Sequence, residues 1–407
     1  MLIKRLEIKD FRNYHHQTIN LASGINVFMG KNAQGKTNIL EAIYMCTCAR
    51  SHRTGDDTAL IRQGADSYDV RIEFDTDQGA AESLRIRYTR EGGGQRARRD
   101  IYYQDVPLDK IGDFCGIFHA VIFAPEDVML VKEGPSGRRR YLDLLMSQVS
   151  PGYFRDLQTY SKLLQQRNHL LKTIRDLLPP GKAGREAYRR FDPDVDPLDP
   201  LSYNLLNLSV WDEKIAETGA DILRARNRMI KRIEAIADES MQTISDQQES
   251  MRIKYKSVAN VDVDGSATEV FEQYLQRLYD TREDDIFRGN TANGPHRDDL
   301  DISLNDTLIK KYASQGQMRS VVLSLKLAEL RVVQEETGQT PVLLLDDVMS
   351  DLDGQRRTHL LSVIEEHQVL ITCTDLQQIF PQIDDASELD DLADITLFTV
   401  DKGTVKA

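Results

Sequence analysis

The spacing of apolar side chains changes twice along the chain. Apolar and polar residues alternate over Met1–Phe11 and again between Tyr68 and Tyr103. The short apolar run Ile25–Met29 precedes a helical pattern over Asn38–Cys48. Alternation is typical of strands, and a period near 3.6 residues is typical of helices. The first third of the chain is therefore predicted to be an α/β unit with an antiparallel sheet beside it.

Apolar residues recur every seven positions in the middle of the chain. One series is Leu157, Leu164, Leu171 and Leu178, with Tyr160 and Ile174 at companion positions; a second is Leu208, Ile215, Ile222, Met229 and Ile236. Such heptads predict two helices packed as a short antiparallel coiled hairpin, although an ordinary helical core uses the same pattern. The stretch Pro179–Pro200 between the two series contains five prolines and is predicted to be non-helical.

The pattern becomes mixed again after Val258. Val342–Leu345 is wholly apolar, which is typical of a strand buried in a parallel sheet. We therefore expect the last third of the chain to complete the α/β unit. The predicted division is an α/β lobe from residues 1–123 and 339–407, with a helical lobe from residues 124–338 inserted into it.

One segment has the pattern of a phosphate-binding loop, G-x-x-x-x-G-K-[ST]. Its residues are Gly30, Lys31, Asn32, Ala33, Gln34, Gly35, Lys36 and Thr37. An apolar strand precedes it and a helix follows, so its backbone N–H groups can bind phosphate at a helix N-terminus. Lys36 is expected to contact the β and γ phosphates of a nucleoside triphosphate, and the Thr37 hydroxyl to bind Mg²⁺.

Two other segments can complete such a site. The strand Val342–Leu345 ends in Asp346 and Asp347, which we expect to hold Mg²⁺ through water and to polarise the attacking water, respectively. Two acids at this position could instead cap a turn. The second segment is a small-residue turn before a helical pattern, Ser314-Gln315-Gly316-Gln317, which predicts another anion-binding helix end or an ordinary helix cap.

Together with Ser350-Asp351-Leu352-Asp353, these motifs resemble the Walker A loop, signature motif, Walker B strand and D-loop of ABC-type ATPases. Within that class the chain is similar to SMC-type heads and to the RecF family. The RecF likeness lies in Phe11-Arg12-Asn13-Tyr14, in residues 125–143 and in residues 294–299. The resemblance implies an α/β fold: an ABC-type P-loop ATPase head with an inserted, mainly helical lobe that carries a short antiparallel coiled hairpin.

The resemblance also implies cofactors and partners. ATP and Mg²⁺ would join two copies of the chain, with Ser314 of one copy meeting the γ-phosphate held by Lys36 of the other. Arg12, Asn13 and the turn 314–317 would contact nucleotide. The expected role is cytoplasmic recombinational repair: binding at junctions of single- and double-stranded DNA, helping RecO and RecR to load RecA, with weak, DNA-stimulated ATP hydrolysis.

The sequence departs from SMC-type heads at two positions. Ala124-Pro125 stands where they carry the Q-loop glutamine, so Glu126 is a candidate replacement. Thr374 stands where they carry the switch histidine. Slow turnover is the expected consequence, since one water-orienting group is missing.

Charge restricts where DNA can bind. The chain has 52 basic and 65 acidic residues and a net charge of −13, which argues against a protein that coats nucleic acid with its whole surface. A local basic patch is required, and the candidates for backbone contacts are Arg53, Arg138, Arg139 and Arg140, with Arg50, Arg96, Arg98 and Arg99 as further basic side chains. The arginine triplet could instead pair with Glu133 and Asp143.

Other functional classes fit less well. No stretch approaches the roughly 20 apolar residues that cross a bilayer, so a membrane-spanning protein is not expected. The main alternative is a cytosolic ABC-type ATPase subunit coupled to a partner other than DNA. A binding module that uses ATP only as a structural ligand is a second. A small-molecule kinase is a third, but it leaves the motifs at 314–317 and 350–353 unexplained.

Overall fold

The computed structural model describes residues 1–90, 97–192, 196, 198–352, 354, 356–357, 359–360, 366–379 and 395–406. The strands in chain order are β1 Leu2–Phe11, β2 Tyr14–Asn20, β3 Ile25–Met29, β4 Ser67–Asp75, β5 Ala81–Arg90, β6 Ala97–Tyr103, β7 Val106–Leu108, β8 Ala120–Phe123, β9 Met251–Lys256, β10 Asp299–Leu304, β11 Thr307–Leu308, β12 Val342–Asp346, β13 Val369–Cys373, β14 Ile395–Asp401 and β15 Thr404–Lys406. The helices are α1 Lys36–Cys48, α2 Ile111–Phe114, α3 Met129–Lys132, α4 Pro135–Val149, α5 Pro151–Leu177, α6 Lys182–Arg190, α7 Pro200–Ile244, α8 Ala267–Asp280, α9 Arg282–Arg288, α10 Ile309–Tyr312 and α11 Gln315–Thr337.

A mostly parallel sheet joins the two ends of the chain. Its strand order is β15-β14-β3-β13-β12-β8, and only the β14–β15 pair is antiparallel. Both faces are covered: Leu343 and Leu345 pack into one hydrophobic core, while Val342 and Leu344 pack into another. This explains why the run Val342–Leu345 has no polar alternation. All six strands come from residues 1–123 and 339–407, while the lobe boundaries themselves remain predictions.

A second sheet, which is antiparallel, packs into the same hydrophobic core that α1 packs into. Its order is β2-β1-β4-β5-β6-β7, in agreement with the strands expected between residues 68 and 103. A register shift between Ile3 and Arg5 interrupts the pairing of β1 with β4. It explains why the buried positions Ile3, Leu6 and Ile8 do not alternate strictly. Arg96 lies outside the described residues.

The two heptad series form α5 and α7, which pack against each other. The pairing is antiparallel, because Tyr153 near the start of α5 contacts Arg226 late in α7, whereas Arg167 further along α5 contacts Asp212 earlier in α7. Heptad residues in this interface are fully buried: Leu171, Ile174, Leu208, Ile215 and Ile222. Although α7 spans 45 residues, neither it nor any other described helix is apolar enough to cross a membrane.

The prediction that residues 179–200 are non-helical was wrong in part. Helix α6 occupies Lys182–Arg190 within that stretch. The five prolines stand at positions 179, 180, 193, 197 and 200, so the twelve residues between the second and third carry none. Proline excludes helix only locally, and its count over a longer window overstated the effect. Pro200 itself occupies the first turn of α7, where proline is favourable.

A buried ionic network ties α5 to α7 and α9. The guanidinium of Arg167 donates to Asp212 at 2.7 Å and to Asp285 at 2.8 Å, and all three side chains are fully buried. Arg282 donates to the other oxygen of Asp212 at 2.6 Å. Since removal of one member of a buried pair leaves an uncompensated charge, the network holds the helical lobe in one arrangement.

Two motifs from distant parts of the sequence meet beside α4. Arg138 donates to both carboxylate oxygens of Asp299, at 2.6 and 2.9 Å. His296 contacts the Thr291 carbonyl through Nε2, so its Nδ1 accepts the Tyr160 hydroxyl at 2.8 Å. Burial lowers the pKa of His296 to about 4, and the imidazole is therefore neutral at physiological pH. Residues 125–143 and 294–299 thus form one structural junction within the predicted helical lobe.

Gly294 lies in this junction, and its substitution by alanine tests how tightly the junction is packed. It has φ +133°, and a Cβ there would lie 2.1 Å from the Tyr274 hydroxyl and 2.4 Å from that of Tyr160. Gly294→Ala should lower the free energy of unfolding by about 1–3 kcal/mol for overpacking, in addition to about 1–2 kcal/mol for the backbone conformation. Gly64→Ala is the matched control, because Gly64 has φ +86° with no atom within 4 Å. Equal losses in the two variants, measured by denaturant unfolding, would contradict this account of the junction.

Candidate nucleotide-binding site

The phosphate-binding loop joins β3 to α1. Its backbone takes left-handed conformations at Ala33, with φ 64°, and at Gly35, with φ 115°. A Cβ at Gly35 would lie 2.5 Å from the Asn13 amide, and one at Gly30 would lie 2.3 Å from the Val400 carbonyl. Both glycines are therefore required where neighbouring segments approach the loop.

Lys36 is held at the base of the loop. Its ammonium donates to the carbonyls of Gly30 at 2.5 Å and Lys31 at 3.1 Å. Burial lowers the pKa of Lys36, while the nearby charges of Asp347 and Asp346 act in the opposite direction. A bound phosphate would favour the charged ammonium further.

Asp346 joins the loop to the strand β12. Its Oδ1 accepts the Thr37 hydroxyl at 2.9 Å and the Thr372 hydroxyl at 2.7 Å. Burial raises the pKa of Asp346, and these two hydrogen bonds lower it. The expected metal-binding pair, Thr37 and Asp346, is therefore in direct contact although 309 residues separate the two positions.

The loop and β12 open onto one cavity of about 330 Å³. Its lining residues are Asn32, Ala33, Gly35, Lys36, Thr37, Asn38, Arg53, Pro125, Glu126, Asp346 and Asp347. Asp347 has φ 51°, so the chain turns sharply where the strand ends. Glu126 lines the same cavity, so it stays a candidate replacement for the Q-loop glutamine. Hydroxyl and carboxylate oxygens suit Mg²⁺, which is usually bound by few protein ligands together with substrate phosphates.

Arg12 and Asn13 were expected to contact nucleotide, but neither lines this cavity. Asn13 donates to the Gln34 carbonyl at 2.8 Å and accepts the Asn38 amide at 2.8 Å. Arg12 donates two hydrogen bonds to Glu41, at 2.9 and 2.7 Å. Burial raises the pKa of Glu41, but bonds from Arg12 and Ser51 outweigh it and leave the pKa lowered. Both predicted residues thus brace the loop and helix from outside.

Ser314 begins α11 as its N-cap. Its hydroxyl accepts the Gln317 N–H at 3.2 Å, while the Gln317 side chain accepts the Ser314 N–H at 2.9 Å and donates to Glu249 at 2.7 Å. The turn also includes Gln315 and Gly316, whose carbonyl accepts Arg356 at 3.1 Å. The turn does not line the cavity around Lys36. Of the D-loop motif, Asp353 lies outside the described residues.

Two features of the site were not predicted. Thr372 donates to Asp346 and accepts the Asp347 N–H at 3.0 Å, so it positions the Asp346 carboxylate and the backbone of Asp347. The turn between β14 and β15 holds the loop from the other side, because Lys402 N–H and Gly403 N–H donate to the side chain and carbonyl of Gln34. For Thr372, the available signal was a polar residue near the end of an apolar strand that would neighbour β12.

The structure argues against part of the predicted DNA surface. Arg138 is 4% exposed, and its guanidinium is occupied by Asp299 and by the carbonyls of Leu130 and Glu133. It is a structural residue, because a buried and paired guanidinium cannot reach a DNA backbone. Its carboxylate partner is Asp299, while Asp143 pairs with Arg226.

Arg53 also lies elsewhere than expected. It lines the nucleotide cavity, within 3.6 Å of Glu41 and 3.7 Å of Glu126. Arg139 and Arg140 are only partly buried, and both donate to backbone carbonyls. Among the further basic side chains, Arg98 pairs with Asp100 and Arg99 with Asp57.

Comparison with known proteins decides the family. The model described as the RecF/RecN/SMC N terminal domain matches residues 2–389. A relative from Acetivibrio thermocellus, named DNA replication and repair protein RecF, is 40% identical over 92% of this chain and 94% of its own length. The chain belongs to the RecF family of ABC-type ATPases.

Solved structures agree with this membership. A structure described as the recombination mediator protein RecF-ATP in the RecFOR pathway has a TM-score of 0.82 and 32% identity, and the match covers 100% of this RecF-family chain and 97% of that one. The Smc head domain from Pyrococcus furiosus has a TM-score of 0.50 and 16% identity over 100% and 95% of the two chains, which shows a shared fold. The predicted ABC-type fold is confirmed.

Thr372 provides a test of the carboxylate geometry. Thr372→Val keeps the side-chain shape but removes the hydroxyl that orients Asp346 and Asp347. The affinity for labelled nucleotide should fall about tenfold or more in the presence of Mg²⁺, as is typical when a partner of a metal ligand is removed. With EDTA the affinity should match wild type. Thr372→Ser is the control, and Mg²⁺ should strengthen its nucleotide binding as it does in wild type. If Mg²⁺ strengthens nucleotide binding equally in Thr372→Val, Thr372 has no role in the metal side of the site.

Proposed function

We propose that this RecF-family protein is an ATP-dependent DNA-binding protein of recombinational repair. ATP and Mg²⁺ join two heads on DNA at junctions between single and double strands, and slow, DNA-stimulated hydrolysis separates them. The protein acts in the cytoplasm with RecO and RecR to help load RecA. The names of its relatives support this proposal: one is a DNA replication and repair protein, and another is a recombination mediator of the RecFOR pathway.

One observation carries the proposal for pairing. Lys36, Thr37 and Asp346 lie together in one cavity, whereas the turn at Ser314 lies outside it. A signature turn at a helix N-terminus is suited to phosphate, because its free N–H groups and dipole favour an anion. A second copy of the chain can bring its Ser314 to the phosphate held by Lys36. Nucleotide then belongs to the interface and stabilises it.

The chain's own groups have distinct tasks in this scheme. Bound MgATP supplies the phosphoryl group and much of the charge compensation for its transfer. Lys36 binds and neutralises phosphate oxygens, and Asp346 with Thr37 holds the metal side of the cavity. Asp347 accepts a hydrogen bond from the attacking water and orients it. Glu126 faces the same space, and the absence of a histidine at Thr374 supports slow turnover.

DNA binding follows from the same assembly. With a net charge of −13, the protein must hold DNA through a limited basic surface. Such a surface contacts backbone phosphates, so the affinity should fall steeply with salt and depend little on sequence.

Mass in solution tests the pairing. Light scattering should show a monomer without nucleotide and a dimer with ATP and Mg²⁺. Ser314→Arg should remain monomeric under both conditions, because the large side chain occupies the contact with the phosphate, while labelled ATP still binds. Thr243→Arg, at an exposed position on α7, is the matched control and should dimerise. A Ser314→Arg variant that dimerises as wild type does would refute the role of Ser314 across the interface.

A further inference from the structure

A second cavity, which is lined by basic side chains, lies away from the phosphate-binding loop. It has a volume of about 610 Å³ and is bounded by the end of α1, by α4, α5 and Arg226 of α7, and by residues 295–296. Five of its lining residues are basic: Arg50, Arg139, Arg140, Lys162 and Arg226. Asp143 is its one acidic lining residue. In a protein with a net charge of −13, this concentration of positive charge requires an explanation.

The described residues balance this positive charge only in part. The carboxylate of Asp143 already accepts Arg226 at 2.7 Å and the Tyr153 hydroxyl at 2.6 Å. Arg139 donates to the Asp298 carbonyl, and Arg140 donates to the carbonyls of Ser51 and Thr54. These carbonyl acceptors carry no net charge. For Arg50 and Lys162, the described part of the chain provides no carboxylate in an ion pair.

The basic groups also repel one another. Burial lowers the pKa of Arg139 and the charge of Arg226 lowers it further, while the charges of Asp299, Asp143 and Asp298 act in the opposite direction. Burial likewise lowers the pKa of Arg140, and Arg50 adds to that effect. Because five basic side chains share this space with one lining carboxylate, an entering anion would stabilise their charged forms further. Guanidinium groups suit phosphate in particular, because they donate parallel hydrogen bonds.

Part of the remaining cavity wall is apolar. Leu144, Phe154 and Leu157 line it, and the Arg50 guanidinium lies 5.6 Å from the centre of the Phe154 ring. The volume is within the usual range for small-ligand sites, about 300–1,000 Å³. Cations beside aromatic and aliphatic side chains suit a ligand that combines a phosphate with a flat ring, since a base can stack while its phosphate pairs with arginine.

We propose that this cavity binds a nucleoside phosphate group, either a free nucleotide or one unit of single-stranded DNA. The phosphate contacts Arg50, Arg139, Arg140 and Lys162, and the base lies against Leu157, since Phe154 is only 2% exposed. With DNA as the ligand, the inference rests on the proposed function, and the cavity holds the single-stranded side of the DNA junction. The site is distinct from the ATP site, because α1 begins at the phosphate-binding loop and ends beside this cavity, about 20 Å away for 13 residues.

The two sites are connected through one short segment. Arg140 holds the carbonyls of Ser51 and Thr54, and Arg53 between them lines the nucleotide cavity. The Ser51 hydroxyl also donates to Glu41, the partner of Arg12. Occupation of the basic cavity therefore acts on a segment that reaches the ATP site, which provides a physical route for DNA to influence hydrolysis.

A charge reversal tests the proposal in the full-length protein. The double variant Arg50→Glu, Lys162→Glu changes two exposed cations of the cavity. The probes are a short labelled oligothymidylate and dTMP, each measured with ADP and Mg²⁺ saturating the phosphate-binding loop. Lys182→Glu, Lys254→Glu is the matched control: it has the same change in charge, at exposed positions outside the cavity. Circular dichroism and labelled-ATP binding should be the same in all three proteins.

We expect the affinity of the cavity variant for its ligand to fall at least about tenfold, and its salt slope to fall by about 1 for each phosphate that the protein no longer neutralises. A weaker affinity for the oligonucleotide identifies single-stranded DNA as the ligand, and a weaker affinity for dTMP alone identifies a free nucleotide. Unchanged affinity for both probes, or an equal decrease in the control, overturns the proposal. If wild type binds neither probe, the cavity proposal also fails, whereas ATP-dependent dimerisation and duplex binding still report separately on the proposed function.

Discussion

The site depends on one carboxylate oxygen that accepts two hydroxyl groups. Asp346 Oδ1 receives hydrogen bonds from Thr37 at 2.9 Å and from Thr372 at 2.7 Å. These contacts connect the phosphate-binding loop, the strand β12 and the strand β13. Since β13 lies between β3 and β12 in a parallel sheet, all three side chains emerge at the same edge. The order of the strands is therefore what turns separate sequence motifs into one site.

The other elements of the fold cover both faces of this sheet and carry the signature turn and the basic cavity. The parallel sheet is buried on both faces, with α1 and the antiparallel sheet on one side and the helical lobe on the other. Residues 125–143 and 294–299 are joined to each other through Arg138 and Asp299 within the predicted helical lobe, and this junction forms part of the basic cavity. Helix α11 carries Ser314 at its start and packs against α7, α4 and β8, so the position of the signature turn follows from the helical lobe.

Much of the architecture follows from local patterns in the sequence. Helical periodicity predicted α1 and the two long helices, because each buries a side chain at a regular interval, whereas uninterrupted apolar runs predicted β3 and β12. The phosphate-binding loop was recognised because strand, glycines and helix are contiguous. Helix α6 was missed because prolines were counted over a window and not placed within it.

The features that could not be predicted depend on long-range contacts. Thr372 has no motif of its own, and its role appears only when β13 is placed beside β12. The turn at Lys402 and Gly403 reaches Gln34 only after β14 has paired with β3. The prediction that Arg138 contacts DNA failed for a similar reason. An arginine run is usually solvated, but the first arginine of this run is buried against Asp299. Local sequence carries no information on which arginine will find such a partner.

The central claim is that each ATP site is completed by a second copy of the chain, and mixing two inactive variants tests it most directly. Lys36→Met lacks the lysine of its own site, and Ser314→Arg lacks the serine that serves its partner's site. One of the two sites in a mixed dimer combines an intact Lys36 with an intact Ser314. We predict that each variant alone stays monomeric without ATPase activity, and that the mixture regains ATP-dependent dimers and part of the hydrolysis. A mixture as inactive and monomeric as its components, beside a wild type that dimerises, would contradict the account.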